Sequence, residues 1–469
     1  MKAKEKGKLP SSPPANPYQV SKWSGATDSE TEEEAQVRIQ VMQEAANRSK
    51  GIDLMIQESK KELDRRRKGV KILLLGQSES GKSSVLKNFQ LAFAPRYFEN
   101  ERPIWKTVIQ LNIISSIKTI LEALKEEYES AEGHLVTPVD SSSQSAQRFL
   151  RRMRLSLSPL FFIEANLVKL LAPECTDSRD LTVRAGNGWK ALLRAQRNHN
   201  PSATGTSISR RRSQTTLGNE NDPSSILVAQ RDDILELWQS PEVREILKRR
   251  RPHIREHPGF FMDDLARIAT PNYIPTDHDV IRARIRTMGV EESHFVLERA
   301  GPGMNTDFYI TDVGGSRSQR ASWAPFFDDV QAILFLAPLA FNQVLDEDRR
   351  VNRLEDSLYL WKDICSNKLL ANANLILFFN KRDVLVSLLE SGVQVKKYVT
   401  TYDLANDVAT VTKYFRDRFR TYHKKYSPDS TRPFMCYETS AIDIKAMSVL
   451  LTGVREAILR QHLREGDML

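Results

Sequence analysis

The sequence has only three cysteines, Cys175, Cys365 and Cys436, set far apart with no CxxC pair. That spacing argues against a disulfide framework or a thiolate zinc site and suits a reducing compartment. Long hydrophobic runs are missing too: no apolar stretch approaches the roughly 20 residues that span a bilayer. The first residues, MKAKEKGKLPSSPPANP, are basic but lead into no apolar core, so no secretory signal is expected. Position 2 is not Gly and no Cys stands near the start, so neither N-myristoylation nor N-terminal palmitoylation is signalled. No internal repeat is visible. A soluble, intracellular protein is the expectation. The formal net charge of +9 leaves room for an anionic partner, although a solvated basic surface accounts for it as well.

What is present falls into segments. Residues 1–28 are rich in Pro, Ser and Lys and read as disordered. Residues 29–68 contain no Pro and one Gly, with Ile52, Met55 and Ile56 at helical spacing, which predicts one long exposed helix. Next comes VKILLL (70–75), an apolar run ending at a glycine, as a strand buried on both faces of a parallel sheet reads. Similar runs recur at 307–310, 332–337, 375–379 and 434–437, separated by helical patterns such as 350–364 and 404–422. Strands alternating with helices predict a doubly wound α/β domain over 69–98 and 279–469. Between them, 99–278 is helical in pattern (107–127, 148–171, 232–250, 260–269), which predicts an inserted all-helical domain. Within it, 196–225 is polar and reads as a surface loop; its Arg210-Arg211-Arg212-Ser213 run suits a basophilic kinase site or a phosphate patch, or is simply solvated.

Gly76-Gln77-Ser78-Glu79-Ser80-Gly81-Lys82-Ser83 fits GxxxxGK[ST], directly after a strand and before a plausible helix at 84–93. Its glycines let the backbone wrap phosphate oxygens, and the amides with the helix N-terminus supply partial positive charge. Lys82 is placed to reach the β/γ-phosphates and the Ser83 hydroxyl to ligate magnesium. The motif alone does not separate ATP from GTP.

Asn380-Lys381-Arg382-Asp383 ends the LILFF strand, where open α/β sheets bind ligands. A carboxylate there can accept both N1–H and N2–H of guanine, donors that adenine does not offer as a pair. Glu438-Thr439-Ser440-Ala441 follows the last strand, and a tight turn presents the Ala441 amide to guanine O6. Either tetrapeptide alone is short enough for an ordinary turn to produce it. Asp312-Val313-Gly314-Gly315 follows the DFYIT strand as DxxG: Asp312 acts on magnesium through water, and the Gly315 amide binds the γ-phosphate. Paired glycines also allow the backbone flip of a switch, though Asp-Val-Gly-Gly is good turn chemistry in itself. Upstream, residues 282–289 (RARIRTMG) offer a hydroxyl for magnesium and arginines for phosphate.

Together these residues resemble the alpha subunit of heterotrimeric G proteins, a divergent member. The resemblance includes Arg48-Ser49-Lys50, Ile52-Asp53, KILLLGxxESGKSS, DDLARIATPNYIPTDHDVIRARIRTMG, DVGGSRSQRASW, FNQVLDEDRRVNRLEDSLYLWKDIC and the final LREGDML, and runs from about residue 33 to 469. It implies a Ras-like P-loop GTPase domain with an inserted helical domain, GTP or GDP as ligand and Mg2+ as cofactor. It makes Arg284 the built-in arginine finger and Glu79 its P-loop partner, with Thr287 and Ser83 as magnesium ligands. Nucleotide contacts are implied for Ser80, Gly81, Ser84, Ile281 and Arg282 beside those above. It also implies a G-protein beta-gamma dimer at the N-terminal helix and second switch, and a G protein-coupled receptor at the tail, Leu463 to Leu469. No nucleic-acid partner is expected.

Two departures from the family pattern bear on catalysis. Ser316 stands where the family has the glutamine that orients the attacking water, and its hydroxyl is too short to span the same gap. Ser78 replaces a glycine and crowds the γ-phosphate. Both changes predict slow hydrolysis. The alternative is a GTP-gated interaction module with negligible turnover. An ATP-using P-loop enzyme is disfavoured by Asn380 and Asp383. The missing lipid signals leave a location at the inner face of the plasma membrane dependent on partners or basic patches.

Overall fold

The computed structural model describes residues 32–132, 141–171, 182–184, 223–296, 307–429 and 432–465. Most of the polar 196–225 loop, Ser213 and the last four residues of the tail lie outside them. The chain divides into two compact units, Met1–Arg67 and Lys68–Leu469. In the first, helix α1 (Glu32–Lys68) carries Val41, Leu54, Met55 and Ile56 exposed on its surface.

The second unit is built on a six-stranded sheet in the order β4-β5-β1-β6-β7-β8. Its strands are β1 (Val70–Gly76), β4 (Val290–Val296), β5 (Asp307–Val313), β6 (Ala332–Pro338), β7 (Asn374–Asn380) and β8 (Met435–Glu438). All pairings are parallel except β4 with β5. Two further short strands, β2 (Thr182–Arg184) and β3 (Arg286–Met288), pair with each other in parallel. So the insertion, expected to be wholly helical, contributes one strand.

After β1, helix α2 (Lys82–Phe93) leads into α3 (Pro95–Glu132), which runs on through Pro103. Then follow α4 (Ser141–Ser156), α5 (Ser158–Leu171), α6 (Pro223–Ala229), α7 (Arg231–Gln239), α8 (Pro241–Arg250), α9 (Leu265–Ile268) and α10 (Asp277–Arg282). The single helices expected over 148–171 and 232–250 are each interrupted. At the second break Ser240 caps α8, accepting from the Val243 amide at 3.4 Å, with Pro241 next, where a missing N–H costs nothing. At the first break α5 begins at Ser158-Pro159, and the Ser158 hydroxyl donates back to the Leu155 carbonyl at 2.8 Å. The 260–269 pattern resolves into a 3-10 turn, Met262–Asp264, followed by α9. These helices share a hydrophobic cluster of their own, including Val108, Ile117, Leu157, Leu237 and Phe261. By length and composition α3 could cross a membrane, but its apolar side chains Ile109, Ile113, Ile117 and Ile120 are core.

Both faces of the sheet are covered by helices. Leu73 and Leu75 pack with Trp361 of α11 (Arg353–Ser366); α12 (Arg382–Glu390) adds Leu385, and α13 (Val408–Tyr426) adds Phe415 and Phe419. Ile72 and Leu74 face the other way, onto Val85 and Phe89 of α2 and Met447 and Leu451 of α14 (Ile444–Glu465). Alternate residues of one strand feeding two cores is why β1 reads as an unbroken apolar run. The strand tips and the loops after β1, β5 and β7 meet at one end, where the site lies.

Candidate functional site

A cleft of about 550 Å³ opens at the carboxyl ends of the central strands. It is lined by Ser78, Glu79, Gly81, Lys82, Ser83 and Ser84 from the loop after β1 and the start of α2. Arg282 and Arg284, Gly315 and Ser316, Asn380, Lys381 and Asp383, and Ala441 also line it. The five segments singled out in the sequence thus converge on one cavity. Of the three described non-glycine residues with left-handed backbone, two face it, Glu79 (φ 62°) and Lys381 (φ 60°). Such conformations cost energy and persist where the surroundings over-determine them.

The loop after β1 closes tightly. Gly81 has φ 101°, and a Cβ there would strike the Asn380 carboxamide. Lys82 is buried, its Nζ donating to the Gly76 and Gln77 carbonyls at 2.9 and 2.7 Å. Burial pushes its pKa down to about 8, against the pull of Asp312. The Ser83 hydroxyl donates to Asp312 Oδ2 at 2.6 Å. Asp312 is fully buried, and burial pushes its pKa up to about 6, against the nearby Lys82 ammonium and the Ser83 hydrogen bond. Its other oxygen, Oδ1, and Ser80 Oγ have no hydrogen-bond partner among the described residues.

Opposite, Glu79 receives two guanidinium groups: Arg284 Nη1 at 2.5 Å and Arg353 Nη2 at 3.1 Å. Burial alone raises the Glu79 pKa, but Arg284 and Arg353 outweigh it and bring it down to about 2. Arg353 also donates to the Ser78 carbonyl, fixing the loop from the side of α11. Arg282 is turned toward the helices, onto Asp264 Oδ2 and the Phe260 carbonyl, both at 2.7 Å. The Ile281 side chain is buried, and its carbonyl accepts from Ser84 Oγ at 3.2 Å. Thr287 stands in β3; its side chain is outside the described residues.

Asn380 acts as a brace. Its Nδ2 donates to the Ser80 carbonyl at 2.7 Å, and its Oδ1 accepts from the Ala441 amide at 2.9 Å. The Ala441 N–H, expected to face the ligand, is engaged by Asn380 in this structure. Asp383 is exposed at the rim, accepting from Ser440 Oγ at 2.7 Å. Lys381 is half-buried, and burial lowers its pKa.

Gly315 lies directly on the loop after β1, where a Cβ would collide with the Gln77–Ser78 peptide. The segment that follows, Arg317–Phe326, is a 3-10 helix. Its Arg317 and Arg320 reach Asp356 of α11, Arg320 Nη2 at 2.5 Å, and Gln77 Nε2 donates to the same carboxylate at 2.6 Å. Asp356 therefore joins the phosphate loop to the DxxG segment.

Sequence reading missed Arg353, Gln77, Asp356, Gln319 and His257, all in or beside the cleft. His257 comes from the helical block; burial drives its pKa below the ordinary value, against the pull of Glu79. Arg353 and Asp356 belonged to a run noted for its resemblance, but nothing local assigns them partners in the phosphate loop.

The residues fit a polyphosphate with a hard cation. An orphaned carboxylate oxygen sits beside a hydroxyl and a buried ammonium, and backbone amides surround the loop. Among the described residues no group of three His, Cys, Asp or Glu could hold a metal alone. Magnesium sites use one or two protein oxygens with phosphate and water supplying the rest.

Comparison with known proteins gives the same direction. A family model described as G-protein alpha subunit matches residues 46–458. The chain is similar to the guanine nucleotide-binding protein alpha-4 subunit of Mycosarcoma maydis, at 30% identity over 84% of this chain and 83% of that protein. It is also similar to the alpha-16 subunit of Caenorhabditis elegans, at 27% identity over 90% of this chain and 96% of that one. A guanine nucleotide-binding protein subunit alpha of Sporothrix schenckii is 27% identical over 86% and 92%.

Proposed function

The chain belongs to the G-protein alpha-subunit family, and from that premise we propose a guanine-nucleotide-gated signalling switch that hydrolyses GTP slowly. The family hydrolyses GTP in general; the slow rate is our reading of this chain. The observation that carries it is Ser316, whose hydroxyl donates to Gln319 Oε1 at 2.8 Å.

Lys82 and the loop amides bind the phosphates, and Ser83, Thr287 and Asp312 would hold Mg2+, Asp312 through water. Bound there, magnesium neutralises charge on the β- and γ-phosphates. Arg284, released from Glu79, stabilises charge developing toward the leaving oxygen. Asp383 reads the guanine edge, while Asn380 holds the Ser80 carbonyl and the Ala441 turn in place. Ser78 narrows the phosphate end of the cleft. The GTP-gated module with negligible turnover remains the second reading, favoured by Ser316 and Ser78.

Family partners are a beta-gamma dimer and a G protein-coupled receptor. The exposed apolar side chains of α1 suit the dimer, as does the Arg317–Phe326 segment, and the C-terminal tail suits the receptor. The resulting location is the inner face of the plasma membrane as part of a heterotrimer.

The test is nucleotide binding and single-turnover hydrolysis on the purified chain, GTP against ATP, with and without magnesium. Tight, magnesium-dependent GTP binding with slow phosphate release is expected. Equal affinity for ATP, or release as brisk as in relatives with glutamine at this position, overturns the reading.

A further inference from the structure

Helix α4 has two unlike faces. Leu150 and Met153, with Leu157 just past its end, are buried in the helical cluster. On the opposite side Arg148, Arg151 and Leu155 follow one another at i, i+3 and i+7, and all three are exposed. The stripe is about 10 Å long at a helical rise of about 1.5 Å per residue. Arg154 flanks it and is exposed as well. Leu155 is 71% exposed, and Phe162 of α5 is 67% exposed. Other arginines of the helical block have carboxylate partners. Arg152 reaches Glu236 of α7, and Arg249, Arg250 and Arg251 reach Glu126 and Glu127 of α3. Arg148, Arg151 and Arg154 meet no carboxylate among the described residues. None of these outward residues of α4 lines the nucleotide cleft.

We propose that the outward face of α4, with Arg148, Arg151 and Arg154 set around Leu155, docks on an anionic lipid bilayer. Charge complementarity carries the inference: three guanidinium groups without a carboxylate of their own face a direction in which phosphate and carboxylate headgroups supply one. The planar guanidinium fork matches phosphate oxygens. Each arginine held close to such a surface strengthens binding about fivefold. Leu155 stands among the arginines, where the boundary between headgroups and acyl chains takes up an apolar side chain. The outer side of a helix is convex, so it meets a broad surface rather than clasping a peptide. This site lies apart from the nucleotide cleft and does not depend on GTP turnover.

The test is sedimentation of the full chain with vesicles of phosphatidylcholine alone, or of phosphatidylcholine and phosphatidylserine in equal parts. The unmodified chain should bind the mixed vesicles, and added salt should weaken that binding. Replacing Arg148, Arg151 and Arg154 together by Ala should lower the partition coefficient about 10²-fold, with thermal midpoint and GTP affinity unchanged. Replacing the same three by Lys keeps the charge and should keep most of the binding. Leu155→Ser should weaken it about tenfold. A matched variant with Lys413, Lys424 and Lys425 replaced by Ala, all exposed on α13, removes equal charge elsewhere and should stay within about twofold. An unmodified chain that ignores the mixed vesicles overturns the inference, as does binding that survives loss of the three arginines. Equal losses in the α4 and α13 variants overturn it too, since net charge alone then explains the binding. A chain that ignores vesicles but binds polyglutamate through these arginines assigns the face to an acidic protein instead.

Discussion

Arg284 Nη1 lies 2.5 Å from Glu79 Oε1, so the phosphate loop and the segment before β3 are tied by an ion pair across the mouth of the cleft. Arg353 holds the second oxygen. In the proposed function Arg284 leaves this pair to act on the phosphates. Because the carboxylate is buried between two cations, removing its charge leaves both guanidinium groups without it. Glu79→Gln should destabilise the nucleotide-free chain by about 2 kcal/mol, read as a lower urea midpoint. A midpoint equal to that of the unmodified chain would show that the pair contributes nothing.

The same pair sets an acid limit. The Glu79 pKa is depressed from 4.5 to about 2. A carboxyl with a depressed folded value contributes stability that is fully present above its unfolded value. That contribution is lost as pH falls from about 4.5 toward 2. The gap in stability between the unmodified chain and Glu79→Gln should therefore be constant near pH 6 and shrink below about 4.5. Urea unfolding at a series of pH values measures it; a gap that widens on acidification contradicts the assignment.

How far this was legible in the sequence depended on whether a feature is local. The phosphate loop stands in one contiguous stretch between a strand and a helix, so its spacing carried its own context. β1, buried on both faces, announced itself as VKILLL. In contrast, β4 is an antiparallel edge strand, VEESHFV, with Ser293 and Phe295 buried and Glu291 and Glu292 partly exposed, and it presents no apolar run. The breaks at Ser158-Pro159 and Ser240-Pro241 were written in the sequence as proline signals, but the helical periodicity on either side masked them. The Gln77–Asp356 hydrogen bond joins residues 279 positions apart, and no pattern of spacing encodes it.

The contact of Gly315 with the phosphate loop admits no side chain. Gly315→Ala puts a methyl group into the Gln77–Ser78 peptide, a clash worth about 1–3 kcal/mol against this arrangement. The DxxG segment is then expected to sit away from the loop. Trp323, tied to Gly314 at 2.8 Å, reports it through its fluorescence. The emission change on adding GTP should be lost or much reduced in Gly315→Ala; a full change at unmodified GTP affinity would mean the contact is dispensable.

At the base end, Asp383 sits on the cleft rim with one oxygen shared with Ser440. Asp383→Ala removes the acceptor for the guanine N1–H and N2–H donors but leaves Asn380 bracing the loop. The preference for GTP over ATP should fall by about 10²-fold or more, with little change in thermal stability. Competition binding of the two nucleotides decides it, and an undiminished preference moves the base reader elsewhere.

Ser316→Gln restores the long amide that the family carries at this position. If hydrolysis is slow because Ser316 cannot reach the water, the variant should release phosphate at least about tenfold faster in a single turnover. The substitution also removes the hydroxyl that holds the Gln319 carboxamide, so the two amides compete for the space over Gly314. Pairing Ser316→Gln with Gln319→Ala separates them. The double variant should be as fast as Ser316→Gln alone, since one well-placed amide suffices. A double variant as slow as the unmodified chain would mean that position 316 does not face the reacting phosphate in this chain.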